Sequence, residues 1–298
     1  MIISNSKYDK AAKVVIHMIL IFFSICCIIP FIAVLSISFS SEVAIGTYGY
    51  SLFPKEFSME AYKFILESPE TIMRSYWVTI KVCAVGTMLS LFIMSLCAYP
   101  LSRKDFKYRN AISFYIFFTM IFSGGLVPTY IWVSKYLNLG NNFWVLVLPA
   151  VVSPWYLMLM RTFFQTIPYE IIESATIDGA GELEIYCKII IPLAKPALAT
   201  VGLFTLLGFW NDWFRGLLYI EDQSLVTLQY MLHKMMANIQ ELQNAMASGV
   251  GVSVDMTNLP NESARMAMCV LAAGPMIFVF PFFQKYFVKG LTVGSVKG

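Results

Sequence analysis

The sequence predicts an all-α protein, polytopic in a membrane, with six transmembrane helices. Three observations carry that prediction. Of the 298 residues, 58% are hydrophobic and only 13% charged, where a soluble domain carries about 25% charged residues. Six segments reach the roughly 20 mostly apolar residues that a helix needs to cross a bilayer. The basic residues between those segments gather on one side. The mean hydropathy, +0.69, agrees. The net charge is only +3, so nothing points to nucleic acid. The chain reads as one transmembrane domain, 1–298.

Residues 1–13 form a basic arm with Lys7, Lys10 and Lys13. The first span, 14–38, is too long for the apolar core of a signal peptide, and no small-residue cleavage pattern follows it. An acidic outer loop with Glu42, Glu56, Glu60, Glu67 and Glu70 leads to the second span, 76–101. Arg103, Lys104, Lys107 and Arg109 precede the third, 111–133. The fourth span, 143–164, holds Pro149 and Pro154, which imply kinks. Loop 167–195 separates it from the fifth, 196–220. In the next loop, 221–265, apolar residues from Leu225 to Met246 recur at spacings of three and four, the mark of a one-sided surface helix over 224–247. The sixth span, 266–287, contains Pro275 and Pro281, again implying kinks, and 288–298 is a polar tail.

Loop charge sets the expected orientation. The arm, the loop after span two, Arg161, Lys188 and Lys195 of the fourth loop, and Lys285, Lys289 and Lys297 of the tail make 13 basic residues on one side. Lys55, Lys63, Arg74, Lys135, Lys234 and Arg265 make 6 on the other. The positive-inside rule places both termini and loop 167–195 in the cytoplasm.

Loop 167–195 carries its own punctuation. Tyr169 to Asp178 has neither Gly nor Pro and suits a short helix; Gly179-Ala180-Gly181 breaks it. Residues 182–191 suit a second helix, stopped by Pro192 and Pro196. Helices of about ten residues are marginal alone in water, so such a pair is expected to dock on something. Glu173, Ala175, Gly179, Ile189 and Pro192 resemble, in type and spacing, the EAA loop of ATP-binding-cassette import permeases, with Ser174 and Ile191 departing from its pattern. Asp178-Gly179-Ala180 is similar to the carbohydrate subgroup. So are Phe209-Trp210-Asn211-Asp212-Trp213-Phe214 and the tail from Gln284. Residues 122–126 and 160–164 resemble the branch importing complex oligosaccharides in Gram-positive bacteria. The likeness covers most of the chain after residue 111; the first hundred residues are less diagnostic.

The resemblance implies a cytoplasmic EAA coupling-helix pair that fits a groove on an ATPase, with Glu173, Ser174, Ala175, Asp178, Gly179, Gly181 and Pro192 as its coupling residues. Gly179 is expected either at positive φ or at a close backbone approach. The resemblance also implies a permease subunit of a bacterial cytoplasmic membrane, working by alternating access. Its expected partners are a second homologous permease, two ATPase subunits, an extracytoplasmic sugar-binding protein and membrane lipids. ATP and Mg would belong to the ATPase, because this chain has no G-x-x-x-x-G-K-[ST]. Cys26, Cys27, Cys83, Cys97, Cys187 and Cys269 lack metal-ligand spacing and read as reduced thiols, so neither a metal nor another cofactor is expected here.

Two other classes fit the sequence less well. An ion-coupled secondary transporter usually needs intramembrane acids, and Asp212 alone sits well within a span. A membrane hydrolase has no H-E-x-x-H; His17 is expected between helices and His233 in solvent. On a continuous fifth helix, Asn211, Asp212 and Arg215 share one arc, with Trp210 and Trp213 opposite. The polar arc is expected to face a sugar path, since charges facing lipid cost about 2.5–3.5 kcal/mol at mid-helix. The Asp212–Arg215 pair reads equally as a salt bridge between subunits, and the two Trp as an interfacial belt or a stacking surface. In the tail, Lys289, Gly290 and Lys297 are too polar to continue the span, and reach an ATPase or anchor at the membrane surface.

Overall fold

The computed structural model describes residues 7–247 and 261–295. Among these the chain is helical throughout, and the sole strand-like feature is an isolated bridge between Ser40 and Phe57. Three helices are long and apolar enough to cross a membrane: α1 (Lys7–Ser38) over Ala12–Ser38, α4 (Pro69–Ser102), and α15 (Glu262–Ser295) over Glu262–Phe283. The number rises to six if each of three bent helix pairs counts as one span.

The third and fifth spans are interrupted where continuous helices were expected, and the fourth carries a bend of the kind Pro149 and Pro154 imply. The third breaks between α5 (Arg109–Ile121) and α6 (Leu126–Ile131), where the axis turns by 113° before a π-helical turn, Trp132–Tyr136, completes the element. Gly125 adopts φ +87°, a left-handed conformation open to glycine without a Cβ clash. The fourth bends by 50° between the helical stretch Phe143–Ala150, which opens with α7 (Phe143–Val147), and α8 (Pro154–Phe164). Pro154 opens α8 at its first turn, where a missing N–H costs nothing. The fifth stops at Trp210: α12 (Lys195–Trp210) ends, and α13 (Phe214–Tyr219) starts after three intervening residues. By contrast, α15 stays helical through Pro275 and Pro281 and on to Ser295, so 288–295, expected as a polar tail beyond the sixth span, is part of the same helix.

The chain divides into two compact units, Met1–Pro69 with Met235–Gly274, and Glu70–Lys234 with Pro275–Gly298. In the first, α1 leaves its apolar side chains exposed; Phe22 and Phe23 are 64% and 62% accessible. His17, expected between helices, is exposed, its Nδ1 2.7 Å from the Lys13 carbonyl. Glu42 on α2 (Glu42–Tyr48) caps α15, accepting from the backbone N–H of Glu262 and Ser263 at 3.0 and 3.1 Å. Those N–H groups open the helix and have no partner within it.

In the second unit, small residues on α4 let helices approach closely. Ser75, Thr79, Gly86, Ser90 and Ser95 are buried. A Cβ on Gly86 would fall 2.6 Å from the Phe209 ring of α12. Thr79 Oγ1 accepts from the Leu228 N–H at 2.8 Å, fixing the start of α14 (Leu228–Ala247). The surface helix thus starts later than the expected 224; Leu228, Leu232 and Ile239 of its stripe are buried. The expected tail residue Lys297 lies outside the described residues, as do the side chains of Lys289 and Gly290.

Candidate functional site

Two places in the second unit bring polar side chains together. The first is the loop of 167–195. Helix α9 (Tyr169–Ile177) buries Ile172 and Ala175. Its end is a Schellman motif: the Ala180 N–H donates to the Ala175 carbonyl at 3.0 Å, and the Gly179 N–H to the Thr176 carbonyl at 3.1 Å. Gly179 sits at φ +81°. Nothing lies within 4 Å of where its Cβ would be, so conformation and not crowding demands the glycine.

Beyond Gly181, α10 (Glu182–Ile185), the π-helical turn Tyr186–Ile190 and α11 (Ile191–Leu193) form one run that meets α12 at 78°. Ile185, Tyr186 and Ile190 pack with Met94, Ala98, Met160 and Phe164 in one apolar cluster. The outward side is different. Glu173, Ser174, Asp178, Gly179, Gly181 and Pro192 are exposed, while Ala175 is buried. Ile177 and Leu183, either side of the turn, are 80% and 74% accessible.

The inward side is fastened by Arg103, just past the end of α4. Its guanidinium is 8% exposed and pairs with Asp105 at 2.6 Å and Glu182 at 3.3 Å. Nη1 also donates to the Tyr99 hydroxyl at 3.2 Å, which in turn donates to Glu182 at 2.7 Å. The guanidinium carbon lies 5.9 Å from the ring centres of both Tyr99 and Tyr169, within cation–π range. Tyr186 Oη and Ser95 Oγ, 2.7 Å apart, add a second link to α4. The bond from Arg103 holds the Asp105 carboxyl below its ordinary value, and the same bond pushes Arg103 up. A cavity of about 440 Å³ opens beside this cluster, lined by Leu96, Pro100, Phe106 and Leu183 among others.

The second place lies deeper, where α4, the bend before α8, α12 and α13 meet. A cavity of about 160 Å³ is lined by Met94, Ala150, Ser153, Tyr156, Thr205, Gly208, Phe209 and Arg215. Arg215 pairs through Nε with Asp212, whose carboxylate also accepts the Arg215 backbone N–H at 3.3 Å. Asp212 thereby caps α13 and neutralises the guanidinium. The Arg215 guanidinium carbon lies 5.3 Å from the Phe209 ring centre.

The helix break changes the expected arc. Asn211 lies in the interruption: its Nδ2 donates to the Leu207 carbonyl at 3.0 Å, and its Oδ1 accepts from Gln229 at 3.5 Å. Trp210 is buried, at 3% exposure, with its ring centre 6.5 Å from that of Tyr76, so it takes no part in a lipid-facing belt. Trp213 stacks on His233 at 4.1 Å and 8°, so His233 is not simply solvated. Of these five residues, Arg215 lines the cavity. Ser153, Tyr156 and Thr205 carry no shared signal in the sequence, since only the bends bring them together, and Arg103 reads there merely as loop charge. Lys81, absent from the candidate residues above, is an exposed lysine on α4 with Nζ 5.3 Å from the Trp77 ring centre. A basic residue inside an apolar run was the signal for that one. No cluster of metal-ligating side chains occurs among the described residues.

The sequence matches, over residues 2–293, the family described as binding-protein-dependent transport system inner membrane component. It is 39% identical over 271 residues to Protein LplC of Bacillus subtilis (strain 168), covering 91% of this chain and 90% of that protein. It is 37% identical over 291 residues to the polygalacturonan/rhamnogalacturonan transport system permease protein YtcP of the same organism, covering 97% and 99%. Among solved structures, a chain of a bacterial ABC transporter involved in the import of the acidic polysaccharide alginate superposes with a TM-score of 0.76 at 30% identity. That match covers 95% of this chain and 99% of the other.

Proposed function

We propose, from the premise that the chain belongs to the family of binding-protein-dependent transport system inner membrane components, that it moves an oligosaccharide across the cytoplasmic membrane by ATP-driven alternating access. It is a membrane protein and a permease subunit of an ABC importer for carbohydrates, not an enzyme. In the proposed assembly it pairs with a second homologous permease, two ATPase subunits and an extracytoplasmic sugar-binding protein. ATP and Mg are bound by the ATPase. In this reading loop 167–195 and both termini face the cytoplasm, the side that the charge asymmetry favours.

One observation carries the coupling reading. The loop is anchored on its inner side and bare on its outer side, with Ile177 and Leu183 exposed about the Gly179 turn. Its second helical run meets α12 at a bend of 78°, joined by the single residue Ala194. A push on the turn is therefore delivered to the fifth span as a lever and not absorbed by slack chain. Glu173, Ser174, Asp178, Gly179, Gly181 and Pro192 lie on the exposed side, where a groove on an ATPase would meet them, with Ala175 packed beneath. Lys289, Gly290 and Lys297 are proposed to reach the same interface. The ion-coupled alternative draws no support from Asp212, whose carboxylate is already committed to Arg215.

Leu183→Asp and Gly179→Leu are expected to leave the chain in the membrane but to lower co-purification of the ATPase and sugar-stimulated ATP hydrolysis at least tenfold. Full stimulation in both variants would overturn the coupling role.

A further inference from the structure

The run that joins the Gly179 turn to the fifth span is not a regular helix. Between α10 and α11, Tyr186–Ile190 makes a π-helical turn, in which the Ile191 N–H donates to the Tyr186 carbonyl. An α-helix would bond that N–H to the carbonyl four residues back. A bond over five residues fits one extra residue into the turn, and such turns are rare and found frequently at functional sites. Burial shows what the extra residue does here. Ile185, Tyr186, Ile190 and Ala194 are 1%, 6%, 1% and 5% exposed and belong to one apolar cluster. At about 100° per residue, a regular α-helix would spread these four over about half its circumference. The wider turn winds less per residue, so it brings Ile190 and Ala194 back over Ile185 and Tyr186. Cys187, Lys188, Pro192 and Leu193 stay exposed.

The two ends of the run are fastened to different helices. Upstream, Glu182 meets Arg103 at 3.3 Å and accepts from the Tyr99 hydroxyl at 2.7 Å, and Tyr186 Oη lies 2.7 Å from Ser95 Oγ. Tyr99 and Ser95 belong to α4. Downstream, Ala194 alone separates the run from α12. One residue fewer would turn the upstream part by about 100° against α12. Glu182 and Tyr186 would then leave α4 for as long as Ile190 and Ala194 stayed packed. Resting on the reading of loop 167–195 as a coupling loop, we infer that the π turn is its positioning element. The extra residue sets the phase in which one run grips α4 and drives α12 at the same time. A movement of the Gly179 turn thereby reaches the second and fifth spans together. Without that residue the run keeps one grip and loses the other, and ATP hydrolysis is cut loose from transport.

The test uses the whole importer, with its own binding protein and ATPases, in proteoliposomes. Basal ATP hydrolysis, its stimulation by the loaded binding protein, and uptake are measured with whichever of trigalacturonate and raffinose the wild type imports. Lys188 is the residue to delete, because its side chain is exposed and pairs with Glu184 on the same run. Lys188→Ala removes that pair and keeps the register, and it is expected to stay within twofold of wild type. Deletion of Lys188 is expected to leave membrane abundance, ATPase co-purification and basal hydrolysis in place. Stimulation and uptake are expected to fall at least tenfold. Inserting an alanine between Tyr186 and Cys187 in the deletion variant restores the length of the turn, and it is expected to recover at least half of both. If the deletion variant is stimulated as strongly as Lys188→Ala, the inference is overturned. The same holds if the alanine restores membrane abundance without restoring stimulation, which also decides the matter where the deletion variant does not reach the membrane. A photo-crosslinker at Leu183 in the wild type separates the two readings. With an ATPase adduct there, the coupling reading stands whatever the deletion does; without one, the coupling reading itself fails.

Discussion

Arg103 and Arg215 stand at opposite ends of a contrast in how completely a guanidinium is used. Arg103 is nearly enclosed and surrounded by acceptors: Asp105, Glu182 and the Tyr99 hydroxyl, with aromatic rings of Tyr99 and Tyr169 nearby. Arg215 has one carboxylate partner and an Nη1 with none among the described residues. A saturated buried cation fixes geometry, because every donor is already committed. One with an unpartnered nitrogen is less completely fixed by its surroundings. Arg103 therefore fastens the inner side of loop 167–195 to α4, and Arg215 ties the start of α13 to Asp212.

The largest expected effect sharpens the first half of that contrast. Arg103→Gln strands Glu182 and Tyr99 and unfastens the start of α10 from α4. Removing one partner of a buried pair costs about 3–5 kcal/mol, reduced here because Asp105 and Glu182 are half-exposed or more. ATPase co-purification and uptake of every substrate are expected to fall together, at least tenfold. Arg215→Gln, by contrast, is expected to leave ATPase binding in place and lower uptake selectively. Equal defects in the two variants would erase the distinction.

Gly86→Ala comes next. The added methyl would meet the Phe209 ring at 2.6 Å, and Phe209 lies under Arg215. Overpacking of this kind costs about 1–3 kcal/mol. Thermal stability in detergent and uptake are both expected to drop, with ATPase co-purification unchanged; an unaltered melting profile would show that α4 and α12 have slack there.

Much of this was legible in the chain. Apolar length marked six segments, of which three lie in single long helices and three in bent pairs, and the spacing from Glu173 to Pro192 marked the loop, because both are properties of sequence distance alone. The breaks were not legible. Gly124-Gly125 within an apolar run permits a bend without dictating one, and the structure turns there by 113°. At Asn211–Trp213 the assumption of a continuous helix put three polar residues on one arc. Asp212 instead caps α13, so its neighbours take separate environments. Ser153, Tyr156 and Thr205 were invisible as a group because they converge only through bends between elements. Arg103 was visible as a charge but not as a buried one, since the acceptor that draws it in, Glu182, lies 79 residues along the chain.

A smaller effect is expected at Gly179. A side chain at φ +81° costs about 1–2 kcal/mol for most residues but less for Asn. Gly179→Asn should support near-normal uptake and Gly179→Ala should lose a few-fold; equal loss would point to crowding by a partner in place of backbone conformation. The smallest effect concerns pH. The bond from Arg103 depresses the Asp105 pKa, so its stabilisation is complete above the ordinary Asp value of about 3.9 and is lost only as pH falls through the lower folded value. ATPase co-purification should therefore be flat with respect to Asp105 between about pH 5 and 8, and Asp105→Asn should not introduce a pH dependence in that window.

The central claim is that the turn about Gly179 faces the cytoplasm and docks on an ATPase while its inner side stays clamped to α4. A photo-crosslinking residue placed at Leu183, in the assembled importer in native membranes, tests it most directly, with Phe114, 68% exposed on α5, as the comparison site. The expected result is an adduct between position 183 and the ATPase subunit, weakened by Arg103→Gln, and none from position 114. No ATPase adduct at 183, or labelling of a cysteine there by an impermeant reagent from outside intact cells, would contradict it.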